Sequence, residues 1–362
     1  MNRAMGGSGF AVRDPINLNN LNPAAYNSIQ LATQLTETGI FVEGDRYRNS
    51  SQTTKFTTAG LNNVNFWIRF SRRWAGSVGM SPLSSVNYNI TSGRGIGDNS
   101  SLSYLGSGGV TQFYFGNAFQ LTKNLSIGAT ASFYHGSIVR KEMITSGLAL
   151  GTQVDNSIYF NKGSFDYGLQ YQFFLKKDRS ITLGAVYNNR LRLNTSQQTT
   201  IYQQRDTLSN NRKNIADYVL PQKFGGGVAF QSRQSTFTVD VSYQQWSNGR
   251  LEDGLKLRDT RRASIGYQFR GSGTESFWSG VVFRTGYYVQ ENAMILQQTP
   301  FSDWGVSFGI GIPVSGKRNS LNLSYSYNHS GTLEKDLIQQ QSQIISLDIT
   351  FRDLWGIKRK FD

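Results

Sequence analysis

From Trp304 onward the chain changes character at every residue. Val306, Phe308, Ile310, Ile312 and Val314 alternate with Gly305, Ser307, Gly309, Gly311 and Pro313. A period of two is that of a β-strand, whose successive side chains point to opposite faces. Leu321, Leu323, Tyr325 and Tyr327 alternate with Asn322, Ser324, Ser326 and Asn328; Ile345, Leu347, Ile349 and Phe351 alternate with Ser346, Asp348, Thr350 and Arg352. Phe237, Val239, Val241 and Tyr243 alternate with Thr238, Asp240 and Ser242. Such strands need one apolar and one polar environment, which a soluble sandwich and a membrane barrel both supply. Two details favour the membrane. Aromatic residues crowd the ends of the apolar faces (Tyr325, Tyr327, Phe351, Trp355), as in interfacial girdles. The connections also alternate in length.

The pattern predicts strands near 29–42, 62–72, 76–90, 109–122, 125–143, 164–177, 179–203, 217–231, 235–247, 259–271, 279–293, 303–315, 319–332 and 342–353. Short connections fall near Arg73, Lys123, Lys177, Arg233, Gly273 and Lys317; long ones near 43–61, 91–108, 144–163, 204–216, 248–258, 294–302 and 333–341. Short periplasmic turns and long extracellular loops are the asymmetry of bacterial barrels. The fold class is therefore all-β: a transmembrane antiparallel β-barrel of about fourteen strands, with an N-terminal segment in the lumen. Residues 1–27 form that plug, 28–355 the barrel and 356–362 a basic periplasmic tail. Mean hydropathy of −0.41 excludes a bundle of apolar helices. An outer-membrane chain requires a signal peptide, inferred to precede Met1.

The net charge is +14, from 37 basic and 23 acidic residues. Arg72, Arg73, Lys123, Lys176, Lys177, Arg179, Arg233, Lys317, Arg318, Lys358, Arg359 and Lys360 lie on the short-turn side, whereas Glu43, Asp45, Asp98, Asp155, Asp206, Glu252, Asp253, Glu334 and Asp336 lie in the long loops. A basic rim meets anionic headgroups, so outer-membrane lipid and lipopolysaccharide are the expected surroundings; a periplasmic protein partner is the sharper alternative. No nucleic-acid-binding motif accompanies the charge.

Alternation fails twice. Residues 1–27 are rich in Gly, Asn and Pro, yet Met5, Phe10, Val12, Leu18, Leu21 and Tyr26 are too apolar for a free tail. The second failure is Gly79-Met80-Ser81-Pro82. Proline cannot donate to a ladder, so Pro82 predicts a bulge or a break in the third strand.

RAMGGSGFAVRDP followed by NLNPAAY, with Asn22, Pro23 and Ala24, resembles the hatch of the FadL-like outer-membrane transporters; RAMGG and the ending DLWGIKRKF resemble the Bacteroidota branch, and LPQKFGGGVAF is similar to a strand start of that family. The resemblance implies fourteen strands and passage of a hydrophobic or amphipathic small molecule. Asn22, Pro23 and Ala24 would hold the hatch to the wall, and Gly79 and Pro82 would mark a lateral gap beside the third strand. The lumen phase is nevertheless strongly charged. Arg69, Asp166, Arg190, Arg192, Asp240, Arg270, Arg284, Asp348 and Arg352 fall on it and are expected to pair with one another. That charge supports the alternative of a non-transporting partner barrel in an outer-membrane secretion or assembly complex.

No catalytic residue, metal site or cofactor is expected. His135 and His329 are the two histidines. A Ser–His lipase site on the outer wall competes with the plainer role of girdle residues. There is no cysteine, and no acidic segment shows a calcium-loop pattern.

Overall fold

The computed structural model describes residues 1–92, 100–146, 149–176, 178–204, 206–251, 255–271, 280–295, 299–314 and 319–354. After two 3-10 turns, Asn2–Met5 and Pro23–Ser28, the chain is strand: β1 (Thr33–Arg48), β2 (Thr53–Arg69), β3 (Trp74–Ser92), β4 (Ser100–Gln120), β5 (Leu125–Ser146), β6 (Ala149–Leu175), β7 (Arg179–Asn188), β8 (Leu191–Gln203), β9 (Asp206–Asn214), β10 (Tyr218–Leu220), β11 (Lys223–Gln231), β12 (Ser235–Gln244), β13 (Thr260–Arg270), β14 (Val282–Glu291), β15 (Ser302–Val314), β16 (Asn319–Gly331) and β17 (Gln339–Leu354). Neighbours pair antiparallel around a ring that β1 and β17 close, from Thr33↔Leu354 to Arg48↔Gln339. Two staves are broken. β7 and β8 together line β6, and β9, β10 and β11 together line β8 and β7. Counted as staves, the ring is the closed 14-strand antiparallel barrel.

Its outer face is apolar and its inner face polar. Val239, Val241, Ile265, Tyr267, Phe308, Leu323 and Tyr325 are exposed, while the intervening Thr238, Asp240, Ser264, Gln268, Ser307, Asn322 and Ser324 are buried. The apolar band is what lipid requires, and closure satisfies the backbone groups that lipid cannot. This is an outer-membrane barrel.

The long-loop expectation is corrected over much of its length. Residues 43–61 are mostly strand, with a tip at 49–52; residues 144–163 and 204–216 are strand almost throughout. The physical reason is that above the bilayer both faces of a strand meet water. Alternation then fades from the sequence although the ladder continues, and every residue of β9 is exposed. β4, β5 and β6 have 21, 22 and 27 residues. A transmembrane strand needs only about 9–11. The excess forms a sheet standing above the barrel on the extracellular side. The proposed tail, 356–362, lies outside the described residues, as do Asp98, Lys177, Glu252, Asp253, Gly273, Lys317, Arg318 and Trp355.

Candidate functional site in the lumen and its wall

Residues 1–28 run across the lumen, touching β2–β6 on one side and β13–β16 on the other. Their apolar side chains find two clusters. Leu18, Tyr26 and Ile29 pack with Leu35, Trp67, Ala75 and Ala118; Met5, Ala11 and Val12 pack with Ala229. Wall and segment approach so closely that side chains are omitted between them. A Cβ on Gly128 would collide with the Pro23 carbonyl carbon, and one on Gly286 with the Gly6 nitrogen. Neither contact leaves room for any other residue type.

Asn22, Pro23 and Ala24 sit where this contact is tightest, and all are buried. The Asn22 amide donates to the carbonyls of Phe10 (2.7 Å), Leu169 (3.2 Å) and Ala185 (3.3 Å), and its Oδ1 accepts from the Ala24 N–H (3.0 Å). It thus caps the turn that Pro23 begins and ties it to β6 and β7. The Ala24 carbonyl accepts from Ser126 Oγ at 2.8 Å.

Five of the inner-wall charges, Asp240, Arg284, Asp348, Arg69 and Arg270, have partners other than each other. Asp240 accepts from the backbone N–H groups of Gly9 (2.5 Å) and Phe10 (2.8 Å). Arg284 donates to Gln268 (2.8 Å) and Asn322 (2.9 Å), and Asp348 accepts from Asn62 (2.9 Å) and Asn63 (3.4 Å). Arg69 donates to the Ile29 carbonyl at 2.7 Å, at the end of the segment. Arg270 pairs with Asp14 of the segment at 3.4 Å. Asp166 and Arg352 are half-buried on the inner phase. For Asp240, Arg284, Asp348 and Arg69 the partners are neutral amides and backbone groups, and Arg270 pairs with a charge of the segment rather than of the wall. The neutral partners satisfy a buried charge without burying a second one.

Arg190 and Arg192 are corrected outright. Both are exposed, and Leu191 and Leu193 point inward to pack with Val110, Tyr134, Ile158 and Phe160. Even-numbered residues of β7 are buried and odd-numbered residues of β8 are, so the break at 189–190 shifts the phase by one. A one-residue slip exchanges the faces of everything beyond it.

Asp14 is the segment's own acid and was not singled out in the sequence; its place in RDP gives no periodic signal. Burial alone would raise its carboxyl. Arg270, Arg284 and the N–H groups of Ile16 and Asn17 outweigh that and hold it below the ordinary carboxylate value. Arg3 was also missed. It donates to Ser346 (2.6 Å) and Asn62 (2.9 Å), and so bridges the two strands that flank β1. Glu37 and Gln170 are inner-wall residues that strict alternation within TETGIF and GLQYQ could have identified.

Gly79 lies against Val64, Asn65 and Tyr114, with no space for a side chain. One residue further, the wall changes. β2 and β3 pair from Arg69↔Ala75 to Val64↔Met80 and no further, although β2 begins at Thr53 and β3 runs to Ser92. β3 remains paired with β4, with a register shift between Pro82 and Ser84. A cavity of about 420 Å³ lies at this parting, bordered by Arg3, Phe41, Glu43, Leu61, Met80, Pro82 and Leu83. It touches the segment on one side and the wall on the other.

The two histidines stack on outer-wall rings, His329 on Trp304 at 5.4 Å between centroids and His135 on Phe133 at 6.2 Å. This is girdle packing.

The barrel resembles solved structures along its whole length. A monoaromatic hydrocarbon channel, CymD, matches with a TM-score of 0.71 at 16% identity, over 98% of this chain and 97% of the other. The toluene transporter TodX of P. putida matches at 0.68 and 16%, over 99% and 98%. A Pseudomonas aeruginosa FadL homologue matches at 0.62 and 12%, over 91% and 92%. Likeness at these identities establishes a common fold, the FadL-like barrel, and two of the three are named for passage of small molecules rather than for catalysis. No curated protein matches the sequence. The family model called BamG does, over residues 1–362; a barrel of FadL-like fold with its N-terminal segment in the lumen, matched from end to end, belongs to the BamG family.

Proposed function

We propose that the protein passes hydrophobic or amphipathic small molecules across the outer membrane, by displacement of the N-terminal segment and exit through the parting of β2 and β3. The observation that carries this reading is the ladder that stops at Val64↔Met80 beside a cavity reached from the lumen. An open sheet edge in hydrocarbon is costly and persists only where the backbone lines a cavity. Proline at position 82 lessens the cost, having no N–H to leave unpaired. Phe41, Leu61, Met80 and Leu83 give the cavity an apolar side, and Arg3 and Glu43 a charged one. That lining suits an amphipath better than a bare hydrocarbon. The names of CymD and TodX, a monoaromatic hydrocarbon channel and a toluene transporter, support passage of small apolar molecules through this fold.

The test is uptake into liposomes carrying the purified barrel, with a monoaromatic hydrocarbon and a medium-chain amphipath as probes. Uptake is expected for the intact protein. It is expected to vanish on deleting Leu83, the extra residue of the bulge, which straightens β3. Absence of uptake of both probes by the intact barrel overturns the proposal.

A second reading, the partner barrel, is favoured by one observation. The pocket between the segment and the wall at β3–β7 measures only about 80 Å³ and is lined by Asn20, Tyr26, Gln112, Tyr114, Asp166 and Asn188. A pull-down from native membranes that returns other chains supports it; one that returns this chain alone counts against it.

A further inference from the structure

Both strands that border the parting are bulged just above its last rung, Val64↔Met80. In β3 the extra residue against β4 is Leu83. In β2 the extra residue against β1 is Asn62, since Asn63 pairs with Gly39 and Leu61 with Ile40. A bulge leaves its extra residue outside the ladder and bends the strand. Here it also turns two successive side chains to one face. Asn62 and Asn63 both donate to Asp348 Oδ1 of β17, at 2.9 and 3.4 Å. Gly39, between them on β1, makes the room, because a Cβ there would collide with that same oxygen.

The N-terminal segment reaches this bulge with one side chain. Arg3 donates to Asn62 Oδ1 (2.9 Å) and to Ser346 of β17 (2.6 Å), and its guanidinium lies 5.7 Å from the centre of the Phe41 ring. Asn62 is therefore held at both ends of its amide, the oxygen by the segment and the nitrogen by the wall. β17, β1 and β2 are consecutive in the wall. A side chain that ties β2 to β17 across β1 holds the lip of β2 on the side away from β3. Arg3 also borders the cavity at the parting and is exposed to it. Both of its hydrogen-bond partners are neutral, so the contact breaks without stranding an ion pair. Asp14 and Asp240, which anchor later parts of the segment, are buried.

We infer that Arg3 couples the segment to the parting. With the segment docked, Arg3 fixes the β2 bulge, and so the spacing of the two lips, while it stands on the segment side of the cavity. When the segment withdraws, the guanidinium leaves with it. The cavity then joins the lumen, and the lip of β2 is freed in the same event. Coupling needs an element whose arrangement both sites bias, and the bulge at Asn62 is that element. Arg3 is thus a positioning residue that acts through Asn62. The inference rests on the transport reading for its purpose, and on the contacts of Arg3 for its geometry.

The experiment measures the distance between the lips. The chain has no cysteine, so spin labels on Ala59→Cys and Ser85→Cys, both exposed and one on each lip, report that distance alone. Pulsed electron–electron resonance on the full-length barrel is expected to give one narrow distribution, and a broad one once Arg3→Ala is added. Asn62→Ala cuts the same link from the wall side. It is expected to broaden the distribution as well, and Arg3→Ala to add nothing to it, because one link is removed in both. Arg13→Ala is the control: it removes a bond from the segment to Gln170 on the far wall and is expected to leave the lips unchanged. A distribution unaltered by Arg3→Ala overturns the inference, as do equal broadening by Arg13→Ala and additive effects of Arg3→Ala and Asn62→Ala. In liposomes Arg3→Ala is expected to raise uptake of the amphipath several-fold. Absence of uptake by every variant, with the distances changed as expected, overturns the transport reading and leaves the coupling standing.

Discussion

A single amide, that of Asn22, holds three stretches of chain together: the segment at Phe10, and the wall at Leu169 and Ala185. Asn22→Ala removes the donor these three buried carbonyls share and leaves the Phe10 carbonyl to Gln170 alone. The expected cost is about 1–3 kcal/mol, read as a lower midpoint in thermal unfolding and earlier proteolysis of the segment. Asp14 makes a prediction of a different kind. Its carboxyl is held below its ordinary value of 3.8, so its contribution to stability is complete above that value and is lost as pH falls through the lower, folded-state value. The Asp14 contribution to docking is therefore expected to be constant from neutral pH down to the ordinary carboxylate range and to weaken only below it. Protease sensitivity of residues 1–28 against pH measures this. Asp14→Asn, which cannot ionise, should remove the step and show a weakened docking already at neutral pH.

Among elements, the 3-10 turn Pro23–Ser28 against β5 depends on the absence of a side chain. Gly128→Val places carbon against backbone that has nowhere to go. Overpacking of this sort costs about 1–3 kcal/mol, and here it pushes directly on the N-terminal segment. Higher ion conductance in planar bilayers than for the unaltered barrel is the expected sign. The strands that bear these contacts were legible in the sequence wherever one face meets lipid and the other the lumen, as in β12 and β15–β17. They were illegible where both faces meet water, so β9 and the far ends of β1, β2, β5 and β6 read as loops. Asn22 to Ala24 were identified through resemblance to a hatch motif; the wall glycines that receive them could not be, because a glycine needed for close approach looks like any other until its neighbour across the lumen is known. The phase shift before Leu191 was hidden for a related reason: an Asn-Asn-Arg stretch suits both faces of a strand near the membrane edge, and only the packing of Leu191 and Leu193 decides between them.

The whole molecule has a short side and a tall side, and that polarity can be checked in living cells. An epitope inserted at Gln204, in the tip joining β8 to β9, is expected to bind antibody on intact cells, and the same epitope at Arg233, in the turn before β12, only after permeabilisation. The reverse result would invert the orientation. The N-terminal segment also lies inside a ring whose first and last strands are the ones that meet. Arg3 bonds to Ser346, 343 positions away, across the β1–β17 seam. The Arg3 contact with Ser346 exists only once β17 is in place, so the docking of the segment is completed together with the last strand. Completion of the chain, rather than its beginning, then sets the moment of sealing, and contacts of such span are slow to form. A chain that stops short of β17 would have a wall but no vessel, its first residues left outside with nothing to enclose them.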